Sequence, residues 1–274
     1  MLLAACLAAA GCNPIARIAA DWSQDGDPRY GVTYYIGGAG PFGNIGAASV
    51  PSGLQDAGYE GYTRIYTWQG LSTPLDQISL GRNRGKSARL AYAIRRQKRR
   101  FPNVPISIVA LSAGTGIAAF ALERLPEDVT VKSVAFVASS LSSRYDLTRA
   151  LRRVEERLYA FYSPHDVILQ QVVPYTKTVD RRSAEYGIAG LIGFQSPMNA
   201  GSDTEAQYKK LENIGWRPEF ALCGHDGGHT DGVSRAFVSH YIAPLLLPKR
   251  PAASEDKSSK PVRSADSDEH RLGR

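Results

Sequence analysis

Hydrophobic and polar positions form two alternating patterns along this chain of 274 residues. Short apolar runs rich in β-branched and aromatic residues predict strands, and longer segments with apolar residues at helical spacing predict helices. The predicted strands are Tyr30–Ile36, Arg64–Trp68, Pro105–Leu111, Val131–Ala138, Arg157–Tyr162 and Glu219–Cys223. The predicted helices include Arg82–Arg100, Ile117–Leu125 and Val233–Tyr241, the last ending at Pro244.

This alternation predicts an α/β fold. We expect a mostly parallel, doubly wound sheet with helices on both of its faces. The chain is long enough for one large core of this kind, and it contains no apolar run of about 20 residues that would span a membrane. The catalytic and binding groups of such a sheet lie beyond the carboxyl ends of its strands, so those ends are where candidate residues belong.

The third predicted strand ends at Ser112, and a small-residue turn and a helix follow it. A serine on a tight strand-turn-helix connection is the arrangement of a nucleophile elbow, which requires small residues two positions away on each side. Ala110 and Gly114 meet that requirement, in a pattern Ala-x-Ser-x-Gly that replaces the usual first glycine by alanine. The alternative is that Ser112 only caps the following helix, since serine is a favoured N-cap residue.

Two glycine patterns suggest nucleotide binding instead. Gly38, Gly40 and Gly43 match G-x-G-x-x-G after a strand, with Glu60 as the candidate ribose-binding acid. The continuation contains Pro51 and further glycines, so we expect no helix there and no dinucleotide site. Residues 81–87 resemble a phosphate-binding loop but have three residues between the glycines where four are needed.

The glycine-rich turn after the first strand has a better use in acyl transfer. This reaction produces an oxyanion, which backbone N–H groups of small residues can approach closely. The candidate donors are the amide of Ala113 and that of Gly38 or Ala39.

An acid and a base follow two later strands. Asp166 comes after the strand ending at Tyr162, where a carboxylate can orient an imidazole. The glycine-rich segment 224–232 contains His225 and His229 and precedes the last predicted helix. A zinc site from His225, Asp226 and His229 is an alternative that the intervening glycines disfavour.

With these residues the chain resembles the α/β-hydrolase superfamily over roughly residues 30–247. The resemblance implies a triad of Ser112 as nucleophile, Asp166 as acid and His229 as general base, with Ala39 and Ala113 as oxyanion amides. It implies no cofactor and no metal. His225 is the alternative base, and Asp146, which follows the preceding strand, is the alternative acid.

The net charge of +7 is local. Residues 82–100 contain nine of the 33 Lys and Arg residues and no acid, which leaves 24 basic against 26 acidic residues elsewhere. We interpret the segment as a surface helix with a cationic outer face, mainly solvated, with attraction to anionic lipid or nucleic acid as alternatives. No aromatic side chains suitable for stacking bases are interleaved with these charges, so we expect no nucleic-acid partner.

The two ends of the chain differ from the predicted catalytic domain, residues 21–247. Residues 1–20 resemble a bacterial lipoprotein leader in which Cys12 is lipidated, with Cys6 as the alternative. This predicts a membrane-attached protein of the bacterial cell envelope, on the periplasmic or cell-surface face. Residues 248–274 are polar and charged, which predicts a disordered tail. Cys223 is then left without an intrachain partner.

The predicted function is a serine esterase or lipase-like hydrolase acting on an apolar small-molecule ester, with thioesters and amides also open. An apolar stretch at residues 186–194 could cap the pocket or be ordinary core. The alternatives are a non-catalytic envelope lipoprotein that uses the fold as a binding module, and a nucleotide-binding oxidoreductase.

Overall fold

A computed structural model of the chain describes residues 26–40, 44–70 and 79–247. Within them, six strands form one parallel sheet in the order β2-β1-β3-β4-β5-β6. The strands are β1 (Val32–Ile36), β2 (Tyr62–Ile65), β3 (Ile106–Leu111), β4 (Val134–Val137), β5 (Leu158–Tyr162) and β6 (Leu211–Gly215). The predicted leader, with Cys6 and Cys12, and the predicted tail lie outside the described residues.

The connections between the strands are mostly helical. The α-helices are α1 (Ser49–Asp56), α2 (Leu80–Arg100), α3 (Ala113–Leu122), α4 (Thr148–Leu151), α5 (Val167–Gln171), α6 (Val173–Thr176), α7 (Ala189–Ile192), α8 (Ser202–Tyr208), α9 (Arg235–Phe237) and α10 (Ala243–Leu246). A π-helical turn, Val238–Ile242, joins α9 to α10. Short 3₁₀ turns occur at Ile45–Ala47, Ala184–Tyr186, Pro218–Cys223 and Asp231–Val233. No described helix is long and apolar enough to cross a membrane.

The sheet is covered on both faces, as the apolar runs predict. In β3, Ile106, Ile108 and Ala110 belong to the core cluster that includes α2 and α3. Val109 and Leu111 belong to the opposite cluster, with α1 and the C-terminal helical turns. Neighbouring side chains of a strand point to opposite faces, so this alternation places one helical layer on each side. Burial of each large aliphatic side chain contributes about 1.5–3 kcal/mol, so the six buried residues of β3 anchor it firmly in the sheet.

The sixth strand is not the one that the apolar pattern predicts. Residues Pro218–Cys223 form a 3₁₀ turn in which Phe220 is buried and Leu222 is 88% exposed. Phe220 is therefore the one fully buried side chain of that run, and Cys223 packs against the core from a partly buried position. The strand is β6, whose residues are partly or fully exposed because it lies at the edge of the sheet. Its polar residues Glu212 and Asn213 hide it from a search for apolar runs.

Two helix predictions also need correction. The segment after the glycine-rich turn does form a helix, α1, in which Pro51 occupies the first turn, where its missing N–H costs little. At the other end, the C-terminal helical turns begin at Arg235 and continue past Pro244 to Leu246. Pro244 again lies at the start of a helical segment, α10, and so does not end the helix.

The apolar stretch at residues 186–194 is part of the core. Ile188, Ala189 and Phe194 are buried in the two core clusters, and Gly190 N donates to Ser139 O at 2.7 Å. Of its large apolar side chains, Tyr186 and Ile192 are exposed. The stretch therefore supports the sheet and is not a separate cap.

The strand order and Glu60 disagree with the dinucleotide interpretation, of which Gly43 lies outside the described residues. A dinucleotide-binding sheet has the order 3-2-1-4-5-6, whereas in the described ranges β2 alone lies beyond β1. Glu60 precedes β2 and so lies at the amino edge, opposite the edge where the ribose-binding acid is needed. The phosphate-loop pattern fails as well, since Gly81 and Gly85 lie within α2.

Candidate active site

Ser112 stands at the sharp turn between β3 and α3. Its backbone has φ 53° and ψ −125°, a region that L-residues rarely adopt. Its side chain makes no capping hydrogen bond to α3, so the interpretation of Ser112 as an ordinary N-cap does not hold. A serine held in this conformation by buried elements on both sides has the geometry of a nucleophile elbow.

The residues two positions away on each side explain how the turn fits. A Cβ atom on Gly114 would overlap the carbonyl oxygens of Ile36 and Gly37, so only glycine is accommodated there. Ala110 is fully buried within β3 and faces the core cluster. One methyl group is therefore tolerated on the strand side of the elbow and excluded on the helix side.

Hydrogen bonds from neighbouring residues hold the backbone of the elbow in place. Thr115 Oγ1 donates to Ser112 O at 2.6 Å and lies 2.7 Å from Ser139 Oγ. Ser112 N donates to Val137 O at 2.9 Å, which ties the turn to the end of β4. These contacts fix the strained backbone without using the Ser112 hydroxyl.

The predicted acid and base meet in the structure. Nδ1 of His229 lies 2.7 Å from Oδ2 of Asp166, whose side chain is 1% exposed. The other carboxylate oxygen, Oδ1, accepts a hydrogen bond from Leu169 N at 3.0 Å and caps α5. Both oxygens are thus held, and the carboxylate is oriented to accept a hydrogen bond from the imidazole N–H.

The loop that carries His229 crosses the strand between the acid and the nucleophile. Ser112 follows β3 and Asp166 follows β5, with β4 between them. Gly232, three residues after His229, lies so close to Val137 at the end of β4 that a Cβ atom there would be 2.7 Å from Val137 Cγ1. Since Val137 also binds Ser112 through its carbonyl, the histidine loop and the elbow contact the same residue.

The alternative base, His225, is packed inside the protein. It is buried, its ring lies 4.7 Å from that of Phe237 and 5.9 Å from that of Phe220, and its carbonyl accepts from Trp216 Nε1 at 2.8 Å. Burial lowers the pKa of His225, against the opposing effect of nearby aspartates. Its Nδ1 accepts from Gly227 N at 3.3 Å, so this histidine holds the shape of the loop that presents His229.

The side chain of the alternative acid, Asp146, also makes hydrogen bonds away from the histidine loop. Its Oδ1 accepts from Thr148 N at 2.9 Å and from Thr148 Oγ1 at 2.5 Å, at the start of α4. The structure therefore brings Asp166, and not Asp146, to a histidine of the glycine-rich loop. Within the described ranges, no group of three His, Cys, Asp or Glu side chains is arranged to hold a metal ion. This finding gives no support to the zinc alternative with His225, Asp226 and His229.

The glycine-rich turn after β1 is held from behind by two side chains. Trp68 Nε1 donates to Gly37 O at 2.8 Å, and Gln69 Nε2 donates to Gly38 O at 2.9 Å. In a trans peptide the N–H lies opposite the C=O, so the amides of Gly38 and Ala39 are directed away from Trp68 and Gln69. Gly37 O packs against Gly114, which places this turn beside the elbow.

Sequence reasoning missed the supporting residues Trp68, Gln69 and Asn44. Gln69 Nε2 also donates to Asn44 Oδ1 at 2.9 Å, and all three side chains are buried. A tryptophan and a glutamine at the carboxyl end of a predicted strand were the available signal, because polar groups at that edge belong to the site. The bracing pair Thr115 and Ser139 left no comparable signal.

The fold has the architecture of α/β-hydrolases: one parallel sheet with helices on both faces and a strained serine turn after β3. Asp166 follows β5, and His229 lies before the last helical turns. The amide of Ala113 lies at the N-terminus of α3, next to Ser112.

No protein-family model and no curated protein matches the sequence significantly. Solved structures with a similar fold include a predicted CIB-like hydrolase from Thermoplasma acidophilum, with 14% identity, a TM-score of 0.42, and coverage of 81% of this chain and 90% of that chain. Carboxylesterase CesB from Bacillus subtilis has 11% identity and a TM-score of 0.41, over 85% and 98% of the two chains. Carboxyl esterase 2 from Tuber melanosporum has 10% identity and a TM-score of 0.40, over 78% of each chain.

Proposed function

We propose that the chain is a serine hydrolase that cleaves carboxylic esters through an acyl-enzyme. The observation that carries this proposal is the bond between His229 Nδ1 and the buried carboxylate of Asp166, at the sheet edge where Ser112 stands in its strained turn. A buried carboxylate that orients an imidazole near a serine on a strained turn is the arrangement that activates a serine hydroxyl group.

The mechanism has two steps. His229 Nε2 takes the proton of Ser112 Oγ as this oxygen attacks the ester carbonyl, and Asp166 stabilises the resulting imidazolium. The tetrahedral oxyanion is met by the amides of Ala113 and Ala39, and the alcohol leaves with the proton from His229. Water, deprotonated by the same histidine, then attacks the acyl-enzyme and releases the acid and free Ser112.

The Oγ atom of Ser112 makes no hydrogen bond to His229 in the part of the chain that the structure describes. Serine–histidine contacts of this kind are often long before substrate binds and tighten in the complex. Proton transfer therefore follows a rotation of the Ser112 side chain toward the loop that crosses β4.

Exposed apolar side chains beside the acid favour an apolar substrate. Val167, Ile168 and Val172 follow Asp166 directly and are each about half exposed, and Tyr175 is 90% exposed. They give the rim of the site an apolar surface where a hydrophobic acyl or alcohol group can lie. Esters with a medium-length acyl chain are therefore the first substrates to test.

The leader adds a location to this proposal. Lipidation at Cys12 would attach the enzyme to a membrane of the bacterial envelope. Cell fractionation of the full chain tests this point separately: a Cys12→Ser variant is expected in the soluble fraction, and its retention in the membrane fraction would point to Cys6 or to another anchor.

Labelling with a fluorophosphonate tests the catalytic proposal. The full chain should be labelled, and Ser112→Ala and His229→Ala variants should not, while His240→Gln, an exposed histidine outside the glycine-rich loop, should keep labelling. A well-folded parent that is not labelled and hydrolyses no aryl ester contradicts the hydrolase proposal. That result would favour a non-catalytic binding module on the same fold.

A further inference from the structure

The outer face of α2 carries a charge that the chemistry at Ser112 does not use. The helix is 21 residues long, or about 31 Å, and contains no acidic residue. Its exposed cationic side chains are Arg82, Arg84, Arg89, Arg95, Arg96, Arg99 and Arg100. We call these seven residues the arginine face.

The opposite side of α2 is fully used by the fold. Leu90, Ala91 and Ile94 pack into the core, and the polar side chains of Asn83, Ser87 and Gln97 are buried as well. The helix therefore has a fixed orientation, and the arginine face is presented outward along its whole length.

Four of the charges on this face are not paired with acidic side chains of the described residues. In the described ranges, no ion pair joins Arg89, Arg95, Arg96 or Arg99 to an acidic side chain. Like charges three or four positions apart on a helix repel one another, as Arg95 and Arg99 do here. A helix that is only solvated usually mixes both signs, so this concentration of one sign is best matched by an anionic partner.

The remaining exposed positions of α2 indicate the kind of partner. They are Gly81, Gly85, Ala88 and Tyr92, and both glycines face open space. Gly81, Gly85 and Ala88 let the helix approach a flat surface, because the arginines and Tyr92 are the exposed side chains that extend from it. Tyr92, 58% exposed at the middle of the face, is the aromatic type that favours the headgroup region of a bilayer.

We infer that the arginine face docks the protein on a membrane surface rich in anionic phospholipids, with its guanidinium groups on the lipid phosphates. One guanidinium group can donate two parallel hydrogen bonds to the oxygens of a phosphate. The arginines are spread over a wide arc of the helix, and a surface of many headgroups can contact charges that are spread in this way. The exposed positions include one aromatic side chain, Tyr92, and no amide side chain for reading adenine edges, which disfavours a nucleic acid. This inference stands apart from the proposed hydrolase activity.

Vesicle sedimentation tests the inference with the full chain carrying Cys6→Ser and Cys12→Ser, so that no lipid is attached. The probes are vesicles of phosphatidylcholine alone and of phosphatidylcholine with 30 mol % phosphatidylglycerol, about the anionic content at which surface charge attracts basic segments. We expect binding to the anionic vesicles only, weakening as salt is raised from about 0.05 to 0.3 M.

The decisive variant replaces Arg89, Arg95, Arg96 and Arg99 by Gln. Since each cation near an anionic leaflet contributes about fivefold in affinity, binding should fall by on the order of 10²-fold or more. The matched control also removes four positive charges, but from exposed positions outside α2: Arg124→Gln, Arg144→Gln, Arg181→Gln and Lys209→Gln. This control should keep most of the binding.

A second variant, used if the Gln variant does not fold, replaces the same four arginines of α2 by Lys and so keeps their charge. Its affinity for anionic vesicles should be within a few-fold of the parent's. Equal loss in the Gln variant and the control would overturn the inference in favour of net charge alone. Equal binding to both kinds of vesicle would overturn it in favour of the apolar leader. Tighter binding to duplex DNA than to anionic vesicles at the same salt would assign the face to nucleic acid.

Discussion

The carboxylate of Asp166 joins His229 to helix α5. Oδ2 lies 2.7 Å from His229 Nδ1, while Oδ1 accepts from Leu169 N at 3.0 Å. One buried side chain therefore positions the proposed base and also caps the helix that forms the rim of the site. The two roles can be separated by substitution, because asparagine keeps an oxygen that can cap and loses the negative charge.

Asp166→Asn should lower kcat for an aryl ester by about 10³–10⁴-fold with little change in KM, since the imidazolium is no longer stabilised. Its thermal stability should stay near that of the parent. Asp166→Ala should show the same loss of kcat and, because the cap is lost, an additional destabilisation of about 1 kcal/mol. Steady-state kinetics and thermal melts separate the two effects, and an Asn variant with near-parent kcat would remove Asp166 from the mechanism.

Trp68→Phe should lower kcat by about tenfold at nearly constant KM. The ring is kept, but Gly37 O loses the N–H donor that holds the turn carrying the proposed oxyanion amide. Tyr66→Phe is the matched control, because it removes the bond from Tyr66 Oη to Lys86 O at 2.6 Å in the same region and leaves the turn alone. Both variants should lose about 1 kcal/mol of stability, and an equal kcat in the two would show that Trp68 is only structural.

Gly114→Ala should destabilise the fold by more than about 2 kcal/mol, or prevent folding, because its Cβ would overlap the backbone oxygens of Ile36 and Gly37. Gly85→Ala is the comparison within a helix, where the added methyl meets open space and should stabilise by about 0.5–1 kcal/mol. Urea denaturation measures both changes. A Gly114→Ala variant as stable as the parent would mean that the elbow does not pack against β1 in this way.

Ser112→Gly should be about 1 kcal/mol more stable than Ser112→Ala, although both should be inactive. The conformation at this position, with φ 53°, is costly for a residue with a Cβ and ordinary for glycine. The stability of the two variants by denaturant titration checks this, with loss of fluorophosphonate labelling in both as the control. The reverse order of stability would show that residue 112 is not strained.

Folding stability should fall as the pH drops below about 6.5, the ordinary pKa of an exposed histidine. Burial lowers the pKa of His225 in the folded state, so the unfolded chain binds its proton first and gains from acidification. The contribution is complete above pH 6.5 and is lost progressively as the pH approaches the lowered value. Thermal melts between pH 7.5 and 5 should show a shallower slope for His225→Gln than for the parent, and equal slopes would contradict this role of His225.

The sequence predicts the central part of the molecule well, because buried parallel strands leave an unmistakable apolar pattern. β3, the elbow at Ser112 and the order of Ser112, Asp166 and the glycine-rich loop follow from that pattern and from the rule that sites lie at carboxyl ends. The choice of Asp166 over Asp146 required the fold, since both follow strands and only packing shows which one reaches a histidine.

Edges and turns were predicted less well. β6 is an edge strand with polar, partly exposed residues, so it has no apolar signature, whereas residues 219–223 are apolar in composition and bury Phe220 alone among them. Pro51 suggested a break where the chain forms α1, because proline in a first turn costs little. The network of Trp68, Gln69 and Asn44 joins residues 25 positions apart, which no local pattern reports.

The capping of α5 by Asp166 limits how the rim of this site can be redesigned. Residues 166–171 form one unit with the proposed acid, so exchanging them as a block with a segment from another protein would move the carboxylate that meets His229. Selectivity changes within α5 must therefore be made one side chain at a time, at exposed positions such as Val167 and Ile168. From Val172 onward the chain no longer contributes to the cap, but Val173 is buried in the core, so any replacement there has to keep that side chain.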